Sequence, residues 1–182
     1  MDFKVEILKY PTEADWMWCK TCTLNTIGKK ATTLPDDEWK IKLLKSEHSP
    51  VRELWFGIKM KIPYYVSVHF VRHHIGVNHY VSTQRDDRVF RDEEITRADL
   101  PQGQMVSHIM SLNAQEFMFM CRRRLCWQAE EMTRKVMETI VKKAHITNPE
   151  FKAANVFVPN CVYRNGKCDE FFPCKKGGVK HE

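Results

Sequence analysis

The segment from Arg72 to Ser82 reads RHHIGVNHYVS, and the chain around it is unusually rich in polar hydrogen-bonding side chains. A helix and its exit loop need fewer such groups for folding. Arginine grips phosphate through a bidentate fork, while imidazole and amide groups hydrogen-bond to the edges of heterocyclic rings. The cluster therefore favours an anionic, planar ligand. Its members are His69, Arg72, His73, His74, Asn78, His79, Ser82, Gln84 and Arg85.

Two other interpretations of this cluster stay open. A solvated polar face would show the same composition. A zinc site from His69 and His73, four residues apart on a helix, is less favoured because no Glu follows the first His as in the metalloprotease motif.

The spacing of the segment carries a more specific signal. Arg72-His73-His74, then seven residues, then Ser82 resembles the Arg-His-Arg, seven residues, Ser signature of the flavin-dependent thymidylate synthases. Further matches lie at the family's distances on both sides, over residues 46 to 134. They are His48-Ser49-Pro50, Arg97-Ala98-Asp99-Leu100-Pro101, Asn113-Ala114-Gln115, and Arg124 followed by Ala129.

The resemblance implies an enzyme that methylates dUMP to dTMP, with methylenetetrahydrofolate as carbon donor and NADPH to reduce bound FAD. Carried over by position, the implied FAD contacts are Ser49, Arg72, His73, His74, Asn113, Ala114 and Gln115. The implied nucleotide contacts are His69, Arg72, Tyr80, Ser82, Gln84, Arg97 and Arg124. We also expect a homotetramer, because the family's sites are shared between subunits.

Two of these arginines have roles that make physical sense. Arg97 would be a fixed positive charge for the phosphate, and Arg124 would be the catalytic group that stabilises negative charge developing on the ring. The alternatives are that Arg97 is a solvated loop arginine and that Arg124 belongs to a surface triplet with Arg122 and Arg123.

Five positions depart from the family pattern. The family has arginine at the positions of His74, Gln84 and Gln115. It has glutamine at the position of His69 and glutamate at that of Tyr80. Three arginines are thus replaced near expected phosphates. The departures leave open a related nucleotide hydroxymethylase and an inactive relative that binds nucleotides or nucleic acid.

The bulk composition predicts one globular domain. The chain has 182 residues, of which 43% are hydrophobic and 29% charged, and no stretch approaches the apolar length of a membrane span. Acidic Asp2 and Glu6 do not suit a signal peptide, so we expect a cytoplasmic protein with no membrane partner.

The net charge of +6 suits a phosphorylated substrate or nucleic acid. Nucleic acid is the less favoured partner, because much of the excess lies in Arg122–Arg124 and in the lysines after residue 174, not in one long stripe.

The expected fold class is α+β, a single domain with a small antiparallel or mixed sheet and long helices. Alternating apolar residues predict strands over 2–8 and 56–62. Helices are predicted from Pro11 to about Ile27, from Pro35 to about Lys45, and from Pro63 through His74. The interval 105–145, free of Pro and Gly, predicts two helices or one bent helix. We divide the chain into residues 1–148 and an irregular cysteine-containing tail, 149–182, of the same domain.

The cysteines follow two patterns. Cys161, Cys168 and Cys174 lie in the tail, where a structural zinc could replace a missing core, with Cys126 or His181 as a fourth ligand. Free thiols are the alternative, since no CxxC pair is present there. A zinc-stabilised interaction module would need this tail alone. Cys19 and Cys22 fall in mid-helix, so buried thiols account for them better than a redox pair.

Overall fold

Two nine-residue strands, hydrogen-bonded to each other along their whole length, form the centre of the sheet. β2 (Trp55–Pro63) runs antiparallel to β4 (Met105–Asn113), with Trp55 opposite Asn113 and Pro63 opposite Met105. The computed structural model describes residues 2–90 and 94–174. His181 and the lysines at 175, 176 and 180 lie outside these residues.

The sheet has four antiparallel strands in the order β1-β2-β4-β3. β1 (Lys4–Lys9) and β3 (Val77–Val81) are its edges. Alternate side chains of the central strands are buried, because successive residues of a strand point to opposite faces. On β2 and β4 these are Phe56, Ile58, Met60, Ile62, Val106, His108, Met110 and Leu112.

Seven helices and two short 3-10 turns complete the described chain. The helices are α1 (Glu13–Asn25), α2 (Asp37–Ser46), α3 (Tyr64–Val71), α4 (Ala114–Arg124), α5 (Glu131–Thr147), α6 (Pro149–Ala154) and α7 (Asn160–Tyr163). The 3-10 turns are Ser49–Glu53 and Arg97–Asp99. Among the described residues, no helix has the length and apolarity needed to cross a bilayer.

An aromatic cluster joins the sheet to the helices. The ring of Phe56 on β2 lies 5.1 Å from that of Phe117 on α4 and 5.3 Å from that of Phe151 on α6, both edge to face. Phe157 stacks on Phe117 and Phe151. Such contacts stabilise a core beyond the burial of their area. This one core spans residues from both ends of the chain, which confirms the expected single α+β domain with an antiparallel sheet.

The prediction of helix from residue 105 was wrong, because residues 105–113 form β4. The residues of this stretch have good helix propensity, but tertiary context overrides propensity. Val106, His108, Met110 and Leu112 are buried while Ser107, Ile109 and Ser111 are only half-buried, which is the period-two pattern of a strand. In this interval the first helix, α4, begins at Ala114, and the second, α5, begins at Glu131.

Other boundaries shift by a few residues. α1 ends at Asn25, and α3 ends at Val71, so that Arg72, His73 and His74 follow the helix. The chain after residue 148 contains α6 and α7 where irregular structure was predicted. α6 forms because Phe151 and Ala154 have a place in the core.

Candidate functional site

The loop Arg72–Gly76 links α3 to β3 and packs against the start of α4. The Gly76 carbonyl accepts a hydrogen bond of 2.9 Å from the Asn113 backbone N–H. Gly76 has φ +72°, and a Cβ there would lie 2.6 Å from the Asn113 side-chain nitrogen. Glycine is therefore required both by the left-handed backbone and by the close approach.

His73 connects the two ends of α4. Its Nδ1 lies 2.7 Å from Glu116 Oε1 in the first turn, and Arg124 Nε donates to its Nε2 at 3.1 Å from the last turn. Since Arg124 can only donate, Nε2 is the acceptor and Nδ1 carries the hydrogen that Glu116 accepts. His73 and Glu116 are 6% and 7% exposed, so this arrangement is rigidly enclosed.

Asn113 explains why Glu116 faces His73. Asn113 and Glu116 have the spacing of a capping box, and the Asn113 side chain does accept from the Glu116 backbone N–H at 2.9 Å. The reciprocal bond is absent in this pair, because the Asn113 backbone N–H donates to Gly76 instead. The Glu116 carboxylate is consequently available to His73.

Arg124 is partly buried and has two other arginines near it. Burial lowers the pKa of its guanidinium, and the neighbouring Arg72 and Arg123 lower it further. His69, half-buried on α3, lies near the same groups, since burial and then Arg124 lower the pKa of its imidazole. Positive charge gathered in this way is stabilised by an anion.

A second series of hydrogen bonds lies on the core side of the Arg72–Gly76 loop. His79 Nε2 lies 2.7 Å from the His73 carbonyl, which can only accept, so this nitrogen donates. A neutral imidazole has one donor and one acceptor nitrogen, so His79 Nδ1 accepts a hydrogen bond of 2.9 Å from His108 Nε2. His108 Nδ1 in turn accepts one of 3.0 Å from Ser67 Oγ. Burial, and then His79, lower the pKa of His108 to about 4. The core side of the loop is thus fixed by neutral imidazoles.

The beginning of the Arg72–Ser82 segment opens onto a cavity of about 420 Å³. Arg72, His73 and His74 form one wall, and Arg123 and Arg124 another. The remaining lining residues are Ile75, Glu116, Phe119, Cys126, Gln128, Ala129 and Glu170. We call this the arginine cavity.

A second cavity of about 520 Å³ adjoins the first, because Ile75, Glu116 and Phe119 line both. Asn113 and Gln115 lie on its wall, as do Gly76, Glu47, Arg52 and Arg122. Arg52 Nε donates to Gln115 Oε1, so a guanidinium from the turn before β2 lies beside Gln115. We call this the Gln115 cavity.

A third cavity, of about 550 Å³, lies at the other end of α3. It contains Gln84 and Arg97, together with Tyr64, Asp86, Thr96, Ala98, Leu100, Pro101 and Gln102. We call this the Arg97 cavity. Because α3 has eight residues and is roughly 12 Å long, the Arg97 cavity and the arginine cavity are separated by about that distance.

The other residues suggested by the resemblance stand apart from these cavities. Tyr80, 62% exposed, and Ser82 lie on the free edge of the sheet, where Ser82 pairs with Ser107 of β4. Ser49 is exposed on its 3-10 turn. The Ala114 side chain is fully buried in the core, so only its backbone could meet a ligand.

Two site residues were missed by sequence reasoning. Glu116 reads as an ordinary capping-box acid at the start of a helix, and its partner His73 is 43 residues away. Arg52 gave no signal, because its meeting with Gln115 joins positions 63 residues apart. Only the folded chain shows either contact.

Four cysteines line one small cavity beside the arginine cavity. Cys126 follows α4, Cys161 lies on α7, and Cys168 and Cys174 lie in the tail. Burial raises the pKa of the Cys126 thiol, and the nearby Glu170, Cys174 and Cys161 raise it further. Over residues 2–90 and 94–174, no three His, Cys, Asp or Glu side chains stand as an assembled metal site. Of the other pair, Cys19 is buried and donates to the Pro50 carbonyl at 3.1 Å.

Comparison with known proteins identifies the fold. No known family matches the sequence, and no curated protein matches it. Among solved structures, 107 chains match. One is a UMP/dUMP methylase, PolB, from Streptomyces cacaoi, crystallised with 5-Br dUMP. It aligns with a TM-score of 0.66 and 15% identity, over 86% of this chain and 97% of that one. The chain therefore has the fold of that methylase over nearly the methylase's whole length.

Proposed function

We propose that this chain is a flavin-dependent methyltransferase that converts dUMP to dTMP. The observation that carries the proposal is the placement of Arg124, held by the His73–Glu116 pair on the wall of a cavity that the Arg72–His74 signature also lines. The fold shared with a UMP/dUMP methylase supports the same substrate class. Overall, dUMP, methylenetetrahydrofolate, NADPH and a proton give dTMP, tetrahydrofolate and NADP+.

Arg124 is the proposed catalytic residue. For carbon 5 to bond to the one-carbon unit, the pyrimidine ring must act as an enolate-like nucleophile that carries negative charge, and loss of the carbon-5 hydrogen as a proton returns such charge to the ring. A guanidinium already fixed beside the ring stabilises that charge without reorganising. Arg124 uses one of its five N–H groups on His73, so the others remain for the ring.

Glu116 and His73 act through Arg124 and are positioning residues. The Glu116 carboxylate fixes the imidazole with Nε2 as acceptor, and this nitrogen fixes the guanidinium. Groups whose rotamers are locked in this way hold a catalytic centre within the narrow tolerance it needs.

The residues present fit FAD. The two adjoining cavities share the apolar side chains of Ile75 and Phe119, 75% and 44% exposed, as surfaces for a planar ring. Guanidinium groups of Arg72 and Arg123 on one side and Arg52 on the other suit the two phosphates. His74, Asn113 and Gln115 would complete the contacts. Bound there, FAD would supply the reducing equivalents, taken from NADPH, that the methyl product requires.

The nucleotide phosphate is assigned to Arg97. Arg97 and Gln84 line the Arg97 cavity, whereas Arg124 lines the arginine cavity near the other end of α3. A site completed by a second copy of the chain would bring the two halves together. We therefore place Tyr80 and Ser82, on the free sheet edge, near the nucleotide in a homotetramer, where they would meet the His69 and Arg72 of another subunit.

Flavin binding tests the proposal first. The purified chain should be yellow, or should bind added FAD with the absorbance shifts of a buried flavin, and dUMP should perturb that spectrum more than dCMP. A perturbation by dCMP alone would favour the related hydroxymethylase class. A colourless protein that ignores FAD and binds DNA in a salt-dependent manner would contradict the proposal and favour an inactive binder.

A further inference from the structure

Four thiols from three parts of the chain meet around a single cavity of about 20 Å³, which is large enough for one water molecule or one metal ion. Cys126 comes from the connection between α4 and α5, Cys161 from α7, and Cys168 and Cys174 from the last described residues. More than half of the cysteines of the chain, four of seven, thus line a cavity that is too small for an organic ligand.

The segment that carries Cys168 and Cys174 has no regular structure of its own. Residues 164–174 form no helix or strand, and Phe171 and Phe172 are 99% and 84% exposed. α7, which carries Cys161, is held to α4 by Arg122, whose guanidinium lies 3.5 Å from the centroid of the Tyr163 ring. Between residues 164–174 and the body, the contacts include a hydrogen bond from Gln128 to the Phe172 carbonyl and an ion pair between Arg123 and Glu170 at 3.6 Å. Exposed pairs of this kind stabilise a fold only slightly.

We infer that Cys126, Cys161, Cys168 and Cys174 form a structural zinc site that fastens the tail to the body of the domain. Four thiolates are a common ligand set of structural zinc, and zinc sites replace the core that short irregular segments lack. The carboxylates nearby are engaged elsewhere, Glu170 with Arg123 and Asp169 with Arg164, which leaves the thiols as ligands. The described side chains do not yet stand at ligand distances, so binding requires the thiols to close onto the ion.

The site has a consequence for the arginine cavity. Cys126, Gln128 and Glu170 line both cavities, so the segment that zinc would fasten is also a wall of the space beside Arg124. Zinc would therefore fix one side of the pocket without touching a ligand in it.

Metal analysis of the full-length protein tests the inference independently of any flavin or activity. We expect about one zinc per chain in the purified protein. Cys161→Ser combined with Cys168→Ser should lower it at least fivefold, whereas Cys22→Ser, on α1 and outside the cavity, should leave it unchanged. Cobalt added to the metal-free wild-type chain should give the intense charge-transfer and visible bands of tetrahedral thiolate coordination.

Three results would overturn it. These are a wild-type chain with no zinc and no cobalt bands, zinc retained in the double variant, or a disulfide between any two of the four cysteines in protein purified without reductant. Circular dichroism shows whether the double variant folds. If it does not, the wild-type zinc content and the cobalt spectrum decide the matter by themselves.

Discussion

His73 Nδ1 lies 2.7 Å from Glu116 Oε1, and both residues are buried. The pair joins the loop after α3 to the first turn of α4 and orients the ring nitrogen that accepts from Arg124. A glutamate and a histidine with no catalytic contact of their own thereby determine where the proposed catalytic guanidinium stands.

The first prediction concerns this pair. Glu116→Gln keeps the shape but removes the charge that holds the His73 hydrogen on Nδ1, so Arg124 loses its fixed acceptor. We expect kcat for dTMP formation to fall roughly 10- to 100-fold with a smaller change in the KM for dUMP.

Glu150→Gln is the matched control, because Glu150 is also buried but accepts from Trp16 Nε1 at 2.9 Å, far along the chain from the site. It should lower stability and leave kcat within about twofold. Equal losses of kcat in both variants would show that Glu116 is merely structural.

The second prediction separates the phosphates of cofactor and nucleotide. Arg52→Gln removes the guanidinium beside Gln115 and should weaken FAD binding about tenfold, with little effect on dUMP. Arg97→Gln should do the reverse. The two dissociation constants, measured by fluorescence of the flavin and by equilibrium dialysis of dUMP, decide between this division and a shared site in which both variants weaken both ligands.

The third prediction tests the close contact under the signature loop. Gly76→Ala and Gly28→Ala both place a side chain at positive φ, but only at residue 76 does the new Cβ meet another group, at 2.6 Å. Asn113 cannot easily move aside, because it is buried and caps α4 through Glu116. Gly76→Ala should lower the free energy of unfolding by about 1–2 kcal/mol more than Gly28→Ala. Equal urea midpoints would contradict the packing described.

The fourth prediction is a pH dependence of stability. The pKa of His108 falls from 6.5 to about 4 in the folded chain, because burial and His79 oppose its charge. The unfolded state therefore binds the proton more readily, so stability is complete above about pH 6.5 and declines as the pH falls toward 4. Its contribution is on the order of 3 kcal/mol.

Urea unfolding between pH 4 and 7 measures this slope. His108→Gln should lower stability at pH 7 and flatten the slope, while His48→Gln, at an exposed position, should leave the slope unchanged. His69, His79 and His145 also have lowered pKa values and will keep part of the slope in both variants. A slope that is the same in wild type and His108→Gln would refute the account of the buried imidazole.

Much of the fold followed from sequence patterns that depend on local physics. Alternation in β1 and β2 predicted strands, and acids before α2 predicted its start, since these signals act over a few residues. The strand β4 was not predicted, because the helix propensity of its residues was a stronger signal than their period-two alternation. Its alternating burial depends on β2 and β3, which lie on either side of it. The helix α6 was not predicted, because Phe151 becomes a core residue only through its contact with the distant Phe56.

For the candidate site, the sequence grouped Arg72, His73, His74 and Arg124 as expected ligand contacts, but it did not indicate which residues hold them in place. Arg72, His73, His74 and Arg124 do line one cavity. Glu116 and Arg52 were not predicted, because their importance comes from partners at distant positions. How Arg97, Tyr80 and Ser82 would join the same nucleotide depends on an assembly that no pattern within one chain can specify.

Release of hydrogen from carbon 5 of the pyrimidine tests the central claim most directly. With FAD, NADPH and methylenetetrahydrofolate present, the wild-type chain should release tritium from dUMP labelled at that carbon, in step with dTMP formed. Arg124→Lys, which keeps the charge but loses the planar guanidinium, should slow that release about 100-fold or more while still binding FAD. A wild-type protein that binds FAD and dUMP but releases no tritium above background would contradict the claim.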